Sequence, residues 1–158
     1  MTTYSEEHWR MRHEVRYAQR LCERTARLYR RMQTVATFVG VVGGSAAVSA
    51  SATWMPGWAP LLGAGLLAVA GAAVLAIKPA DKATANDADV RKYAELLREA
   101  LALDDAAFAA ALSKARITDA AELEPLRAVA YNDLVGEIGR PDLAGPLDFR
   151  QRLLASLA

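Results

Sequence analysis

At 158 residues, 23% of them charged and a formal net charge of +1, the chain has the totals of an ordinary soluble domain. That near-neutral balance leaves no electrostatic footprint for nucleic acid, and a single cysteine, Cys22, excludes an intramolecular disulfide and fits a reducing compartment. The distribution of charge departs from the totals: Met32 to Ile77 contains no Lys, Arg, Asp, Glu or His at all.

Residues 5–32 have neither Pro nor Gly and are rich in Arg, Glu, Gln and Leu. Ser5, followed by Glu6 and Glu7, suits a helix start. Met11, Val15, Ala18, Cys22, Thr25, Tyr29 and Met32 recur at alternating steps of four and three, a heptad seam that Leu21 and Leu28 widen. Cys22 reads as a small apolar packing residue within it. The arm has eight arginines against four glutamates, net +4, whereas residues 78–158 carry net −3, so the two parts are complementary. Arginines spread around the helix and mixed with Glu favour an upright arm over one lying flat on anionic lipid.

The uncharged stretch is about twice the roughly 20 residues that one bilayer span needs. It therefore reads as two transmembrane helices, near 33–53 and 59–77, joined by the short external turn Trp54-Met55-Pro56-Gly57-Trp58. Pro60 falls in the first turn of the second span, where a missing N–H is harmless. Arg24, Arg27, Arg30 and Arg31 precede the first span and Lys78 and Lys82 follow the second, which places both termini in the cytoplasm. Cleavage of a secretory signal at Ala50-Ser51-Ala52 is disfavoured by the long Arg-rich leader. Burial of both helices in a soluble core is disfavoured by the shortness of the chain.

Small residues fill both spans. Gly40 and Gly44 have GxxxG spacing with Gly43 beside them, and Ala64, Ala68 and Ala72 recur every fourth residue next to Gly71. Lipid gives apolar helices no reason to associate, so such residues predict helix–helix contact and self-association. Thr34, Thr37, Ser45, Ser49 and Ser51 are candidate pore-lining residues if several copies assemble; the alternative is that each hydroxyl bonds the preceding turn's carbonyl. No ionisable group lies at membrane depth, which excludes a proton relay or voltage sensor.

Beyond Pro79 the pattern predicts a helix over 84–102 with the stripe Val90, Tyr93, Leu97, Ala100 and Leu101, able to pair antiparallel with the arm. Asp104-Asp105 then caps a short helix holding Phe108, Leu112 and Ala115. Asp119 and Glu122 have capping-box spacing, and Pro125 begins a helix through Leu126, Val129, Ala130, Leu134 and Ile138. Gly139-Arg140-Pro141 stops it, and 147–157 forms a last amphipathic helix. No strand pattern competes. The fold class is thus an all-α membrane protein: a two-helix hairpin with a long N-terminal cytoplasmic helix and a C-terminal helical bundle.

No chemistry is legible. His8 and His13 read as solvated helix residues without metal-ligand partners, no phosphate loop follows the glycines, and the acidic pairs are helix starts. The chain reads as no enzyme, with neither cofactor nor metal.

The arm Trp9-Arg10-Met11-Arg12-His13 to Tyr29-Arg30-Arg31, the Trp-Met-Pro-Gly-Trp turn, and the returning Arg91-Lys92-Tyr93-Ala94-Glu95-Leu96-Leu97 with Arg127-Ala128-Val129-Ala130-Tyr131-Asn132 together resemble the SLATT family. These are two-transmembrane effector domains found beside nucleotide-signalling and conflict systems in bacteria. The resemblance covers most of 5–138 and is mainly architectural. It implies a homo-oligomer in the bacterial inner membrane that forms a pore or perturbs the bilayer in anti-phage defence. No sensor domain is fused here, so the trigger would be a separate sensor protein or a small ligand. The competing readings are a non-conducting adaptor that presents a cytoplasmic helical platform, and a holin or phage-exclusion protein.

Overall fold

The computed structural model describes residues 4–48 and 58–158, and these are all-helical, with no strand among them. Six α-helices follow in order: α1 Glu6–Val48, α2 Ala59–Ile77, α3 Pro79–Glu99, α4 Asp105–Ile117, α5 Arg127–Glu137 and α6 Phe149–Leu157. Single 3₁₀ turns at Glu124–Leu126 and Pro141–Leu143 precede α5 and α6. Two compact units result, one from residues 1–28 with 82–158 and one from residues 29–81; α1 contributes to both.

Helix α1 has no Pro to interrupt it and begins where the sequence indicates. The Ser5 hydroxyl accepts from the His8 amide at 3.0 Å, satisfying one of the donors that a helix start leaves open. In the first unit its seam faces inward: Met11, Val15 and Cys22 close a core with Tyr93 and Leu96 of α3, Ala100 just past its end, and Phe108 and Leu112 of α4. Leu21, Thr25, Ala26 and Leu28 are buried as well. The Tyr4 hydroxyl donates to the Leu101 carbonyl at 2.9 Å, whereas Cys22, farther along α1, lies in the field of Asp89, earlier in α3. The two helices therefore run antiparallel.

Several expectations are corrected. Helix α3 starts at Pro79 rather than 84, because a proline at the first helical position loses nothing and Lys78 has already turned the chain in the left-handed region (φ 50°). It ends at Glu99, where the Ala102 amide turns back to the Glu99 carbonyl, and Leu101 points outward. Leu96, outside the predicted stripe, is buried instead. Asp119 and Glu122 form no capping box; the segment 119–123 is irregular and both carboxylates pair elsewhere. Ile138 is exposed where α5 ends, and Gly139 (φ +74°) completes that stop. His8 is not solvated: it is 1% exposed, stacked on Tyr4 and against Phe108, with Nδ1 3.0 Å from the Asp105 carboxylate.

The polar element that fastens α3 to the end of α4 is centred on Lys92. Its ammonium donates to Asp89 at 2.8 Å, Asp119 at 2.6 Å and the Ala115 carbonyl at 2.9 Å, while the second Asp89 oxygen accepts from the Ala120 amide at 2.7 Å. Burial works against the charge on Lys92, but the bonds to Asp119 and Asp89 outweigh it and hold its pKa above the ordinary lysine value. The Tyr93 hydroxyl donates to the other Asp119 oxygen, and burial together with that carboxylate raises the Tyr93 pKa. Lys92→Met leaves two carboxylates without their cation, so it should cost about 3 kcal/mol, read as a lower denaturation midpoint. An unchanged midpoint would show that the network only decorates the surface.

Candidate functional site

The second unit contains the feature with the least ordinary physics. In α1 beyond Tyr29, a narrow stripe of Met32, Gln33, Ala36, Val39, Gly40, Gly43 and Gly44 is wholly or partly covered. In α2 the covered positions are Gly63, Ala70, Val74 and Ile77. The rest faces outward, including Val35, Phe38, Val41, Leu61, Leu66, Val69 and Leu75, the last 78% exposed. One helical stretch among the described residues, Leu61–Glu99, is long and apolar enough to cross a membrane, and only 11% of its apolar part is buried. Lys78 divides that stretch, so the apolar part is α2. Two thin helices thus touch along one line and show hydrocarbon everywhere else.

The line of contact turns on Gly43. A β-carbon there would lie 2.8 Å from the Gly63 carbonyl oxygen and 3.4 Å from Leu67, so only glycine lets the backbones approach this closely. At Gly40 a β-carbon would rest in ordinary contact with Leu67, 3.8 Å away, and at Gly44 it would meet nothing within 4 Å. The GxxxG pair therefore does not make the contact as a unit. Gly43, with the unpredicted Gly63 and Leu67, carries it. Ala64, Ala68, Gly71 and Ala72 are all exposed, on a side of α2 turned away from α1. Their stripe is free of the described helix pair.

The hydroxyls behave as helix residues. Thr34, Thr37 and Ser45 are exposed and donate to the carbonyls of Arg30, Gln33 and Val41 at 3.0, 2.9 and 2.8 Å. Bonded in this way, each sheds its polar hydrogen into its own helix and can face hydrocarbon at little cost. Ser49 and Ser51, the rest of the first expected span and the turn 54–57 lie outside the described residues.

The first unit holds most of the charged groups. Arg24 makes a bidentate pair with Asp133 at 2.7 and 2.9 Å and also donates to the carbonyls of Ala155 and Ala158. Arg16 and Arg20 bond Glu137, and Arg116 meets Glu14. Complementary charge between the arm and the later helices is thus realised in named pairs. These pairings were not legible in advance, because spacing along one helix carries no information about its partner. The remaining seam residue Ala18 packs at the edge of the core. Among the described residues no three His, Cys, Asp or Glu side chains gather as metal ligands would.

Neither a family model, a curated protein nor a solved structure matches the chain.

Two outcomes follow. Gly43→Ala forces the Gly63 carbonyl aside and should lower the unfolding free energy of the helix pair in mild detergent by about 1–3 kcal/mol, whereas Gly44→Ala should leave it unchanged. Equal effects would disprove the assigned contact. Burial, aided by Asp89, Asp119 and Glu122, pushes the Cys22 thiol up to about 12. The folded chain should therefore resist maleimide at neutral pH and react at once when unfolded. The neutral thiol is favoured in the fold, so its stabilising effect is whole below the unfolded value and fades as pH rises from about 9 towards 12. Cys22→Ala should flatten that part of the alkaline stability curve.

Proposed function

We propose that this chain is a two-span integral membrane protein of the bacterial inner membrane, with both termini cytoplasmic, that self-associates and opens or perturbs the bilayer when triggered. The observation that carries the reading is the outward apolar surface of the second unit. Val35, Phe38, Val41, Leu61, Leu66, Val69 and Leu75 are exposed on two helices that share a stretch without a single charge. A patch this extensive is not compatible with water, and the first unit is occupied with its own core. Lipid fits the helices on every exposed side, and their backbone groups are satisfied internally.

The cationic flanks give the orientation. Arginines stand before the first apolar segment, lysines follow the second, and the connection between them has no positive charge. Self-association is supported by the small-residue side of α2, Ala64, Ala68, Gly71 and Ala72, which α1 leaves uncovered. The effector role rests on the resemblance to the SLATT family, with a separate sensor or small ligand as trigger.

The test has two stages. The untagged chain should stay with membranes through an alkaline wash and appear in lipid nanodiscs as a ring of subunits. Induced expression should depolarise the cell, and Ala68→Leu, which bulks the open side of α2 without touching Gly43, should relieve the toxicity. Recovery as a soluble monomer without detergent would overturn the membrane assignment. Harmless expression of a membrane-bound monomer would overturn the effector role alone.

A further inference from the structure

The last helix carries its apolar face on the wrong side for a water-soluble bundle. In α6 the side turned to the protein is made by Gln151, Leu154 and Ala155, partly covered, with Ala158 buried beyond its end. Phe149, 76% exposed, and Leu153 and Leu157, 51% and 42% exposed, follow one another at intervals of four and make the outward side. Arg150 and Arg152 are exposed on either flank of that stripe, and Phe149–Leu157 contains no acidic residue.

We propose that α6 is an interfacial helix whose Phe149, Leu153 and Leu157 face lies in the headgroup region of an anionic bilayer, with Arg150 and Arg152 beside the lipid phosphates. The inference rests on the membrane reading above and adds a second, peripheral lipid contact to it. An aromatic and aliphatic stripe bordered by arginines is the pattern of a helix that lies in the membrane plane, with its charged heads reaching out along apolar stems. Charge complementarity selects this occupant, because the cationic flanks match anionic headgroups.

Two features prepare the helix for that role. Its start is fixed by a reciprocal capping box, with the Asp148 carboxylate accepting from the Gln151 amide at 2.6 Å and the Gln151 side chain accepting from the Asp148 amide at 2.9 Å. Its end is fixed by Arg24, which donates to the Ala155 and Ala158 carbonyls at 3.3 and 3.0 Å, and by Arg27, which donates to Ala158 at 3.0 Å. Held at both ends, α6 is already helical and has little order left to lose on binding. Arg27 precedes Met32, the first residue of the uncharged stretch, by only five positions. Nine residues are too few to hold a free peptide on a membrane, but a chain already inserted presents α6 to lipid at high effective concentration.

The test uses the full chain in nanodiscs, in a Cys22→Ala background, with a polarity-sensitive fluorophore on one introduced cysteine at a time. On Leu153→Cys the emission should shift to the blue in anionic nanodiscs, should be quenched by doxyl-labelled lipids, and should relax toward its aqueous value when the lipids are made neutral. On Val69→Cys, an outward position of α2 outside the small-residue side, it should be quenched in every lipid. Quenching at residue 69 but not at 153 overturns the interfacial role of α6 and leaves the spans in place. Quenching at neither overturns the membrane reading itself. A blue shift at 153 that doxyl lipids do not quench means that protein covers the stripe, a second copy or another partner, and overturns the lipid assignment.

Discussion

Everything in this molecule is organised by the absence of charge between Met32 and Ile77. Hydrophobic burial is worth about 25 cal/mol for each Å² removed from water, and an ordinary domain recovers it by folding apolar surface inward. Here α1 and α2 recover it only along a narrow seam, because two single helices have too little girth to cover one another. On the membrane reading proposed above, that seam has a different purpose. The surroundings are as apolar as the side chains, so what remains to hold the helices together is close contact. The position of Gly43 beneath the Gly63 carbonyl supplies it, and that is why one glycine among several is constrained while its neighbours are free.

The first unit solves the opposite problem, that of keeping a strongly charged arm helical and fixed in register. Its seam supplies the attraction, through Val15, Tyr93 and Phe108, each with no exposed surface. Charge pairs then select the arrangement. Most lie near the surface, where each is worth little, and their value is in excluding alternatives: Arg24 meets Asp133 on one side and the end of α6 on another. The Lys92 group differs because Asp89 is nearly buried, so losing its cation would leave a charge that water cannot reach. The arm's basic character and the later helices' acidic character thus meet within one chain, where they serve register more than adhesion.

The helices were legible in the sequence because their signals are local. Ser5 opens α1, Pro60 lies in the first turn of α2, Asp104 caps α4 and Gly139 closes α5, each through chemistry within a turn of the residue concerned. Faces were partly legible: the heptad seam of α1 marks buried positions, yet Leu101 and Ile138 fit their stripes and still point to solvent, since each lies at or beyond a helix end. Partners were not legible. Asp119 has the spacing of a capping residue, but a lysine 27 positions earlier competes for it and wins, for a partly buried ion pair outweighs one more helix turn. His8 reads as solvated from the sequence because no metal-ligand partner stands at suitable spacing; in the fold the ring lies on the face of α1 that meets Phe108. The GxxxG spacing singled out Gly40 and Gly44 by period alone, whereas the contact is decided by where the other backbone passes.

On the proposed reading, the hydroxyls of α1 bear on how the chain rests before its trigger. Thr34 and Thr37 each give their hydrogen to a carbonyl four residues back, so their exposed surface resembles that of a small apolar residue with a spare acceptor. Lipid tolerates that surface, because no donor is left unsatisfied. Water accepts it as well, because the remaining lone pairs can still receive hydrogen bonds. A side of a helix that is comfortable in both solvents puts little free energy between a lipid-facing and a water-facing arrangement. On the proposed reading, that small gap is what lets a modest trigger, favouring one assembly by a few kcal/mol, shift the population from closed to open. On the same reading, charged side chains in place of these hydroxyls would force the choice in advance, since they would resist entry into the bilayer before assembly was complete.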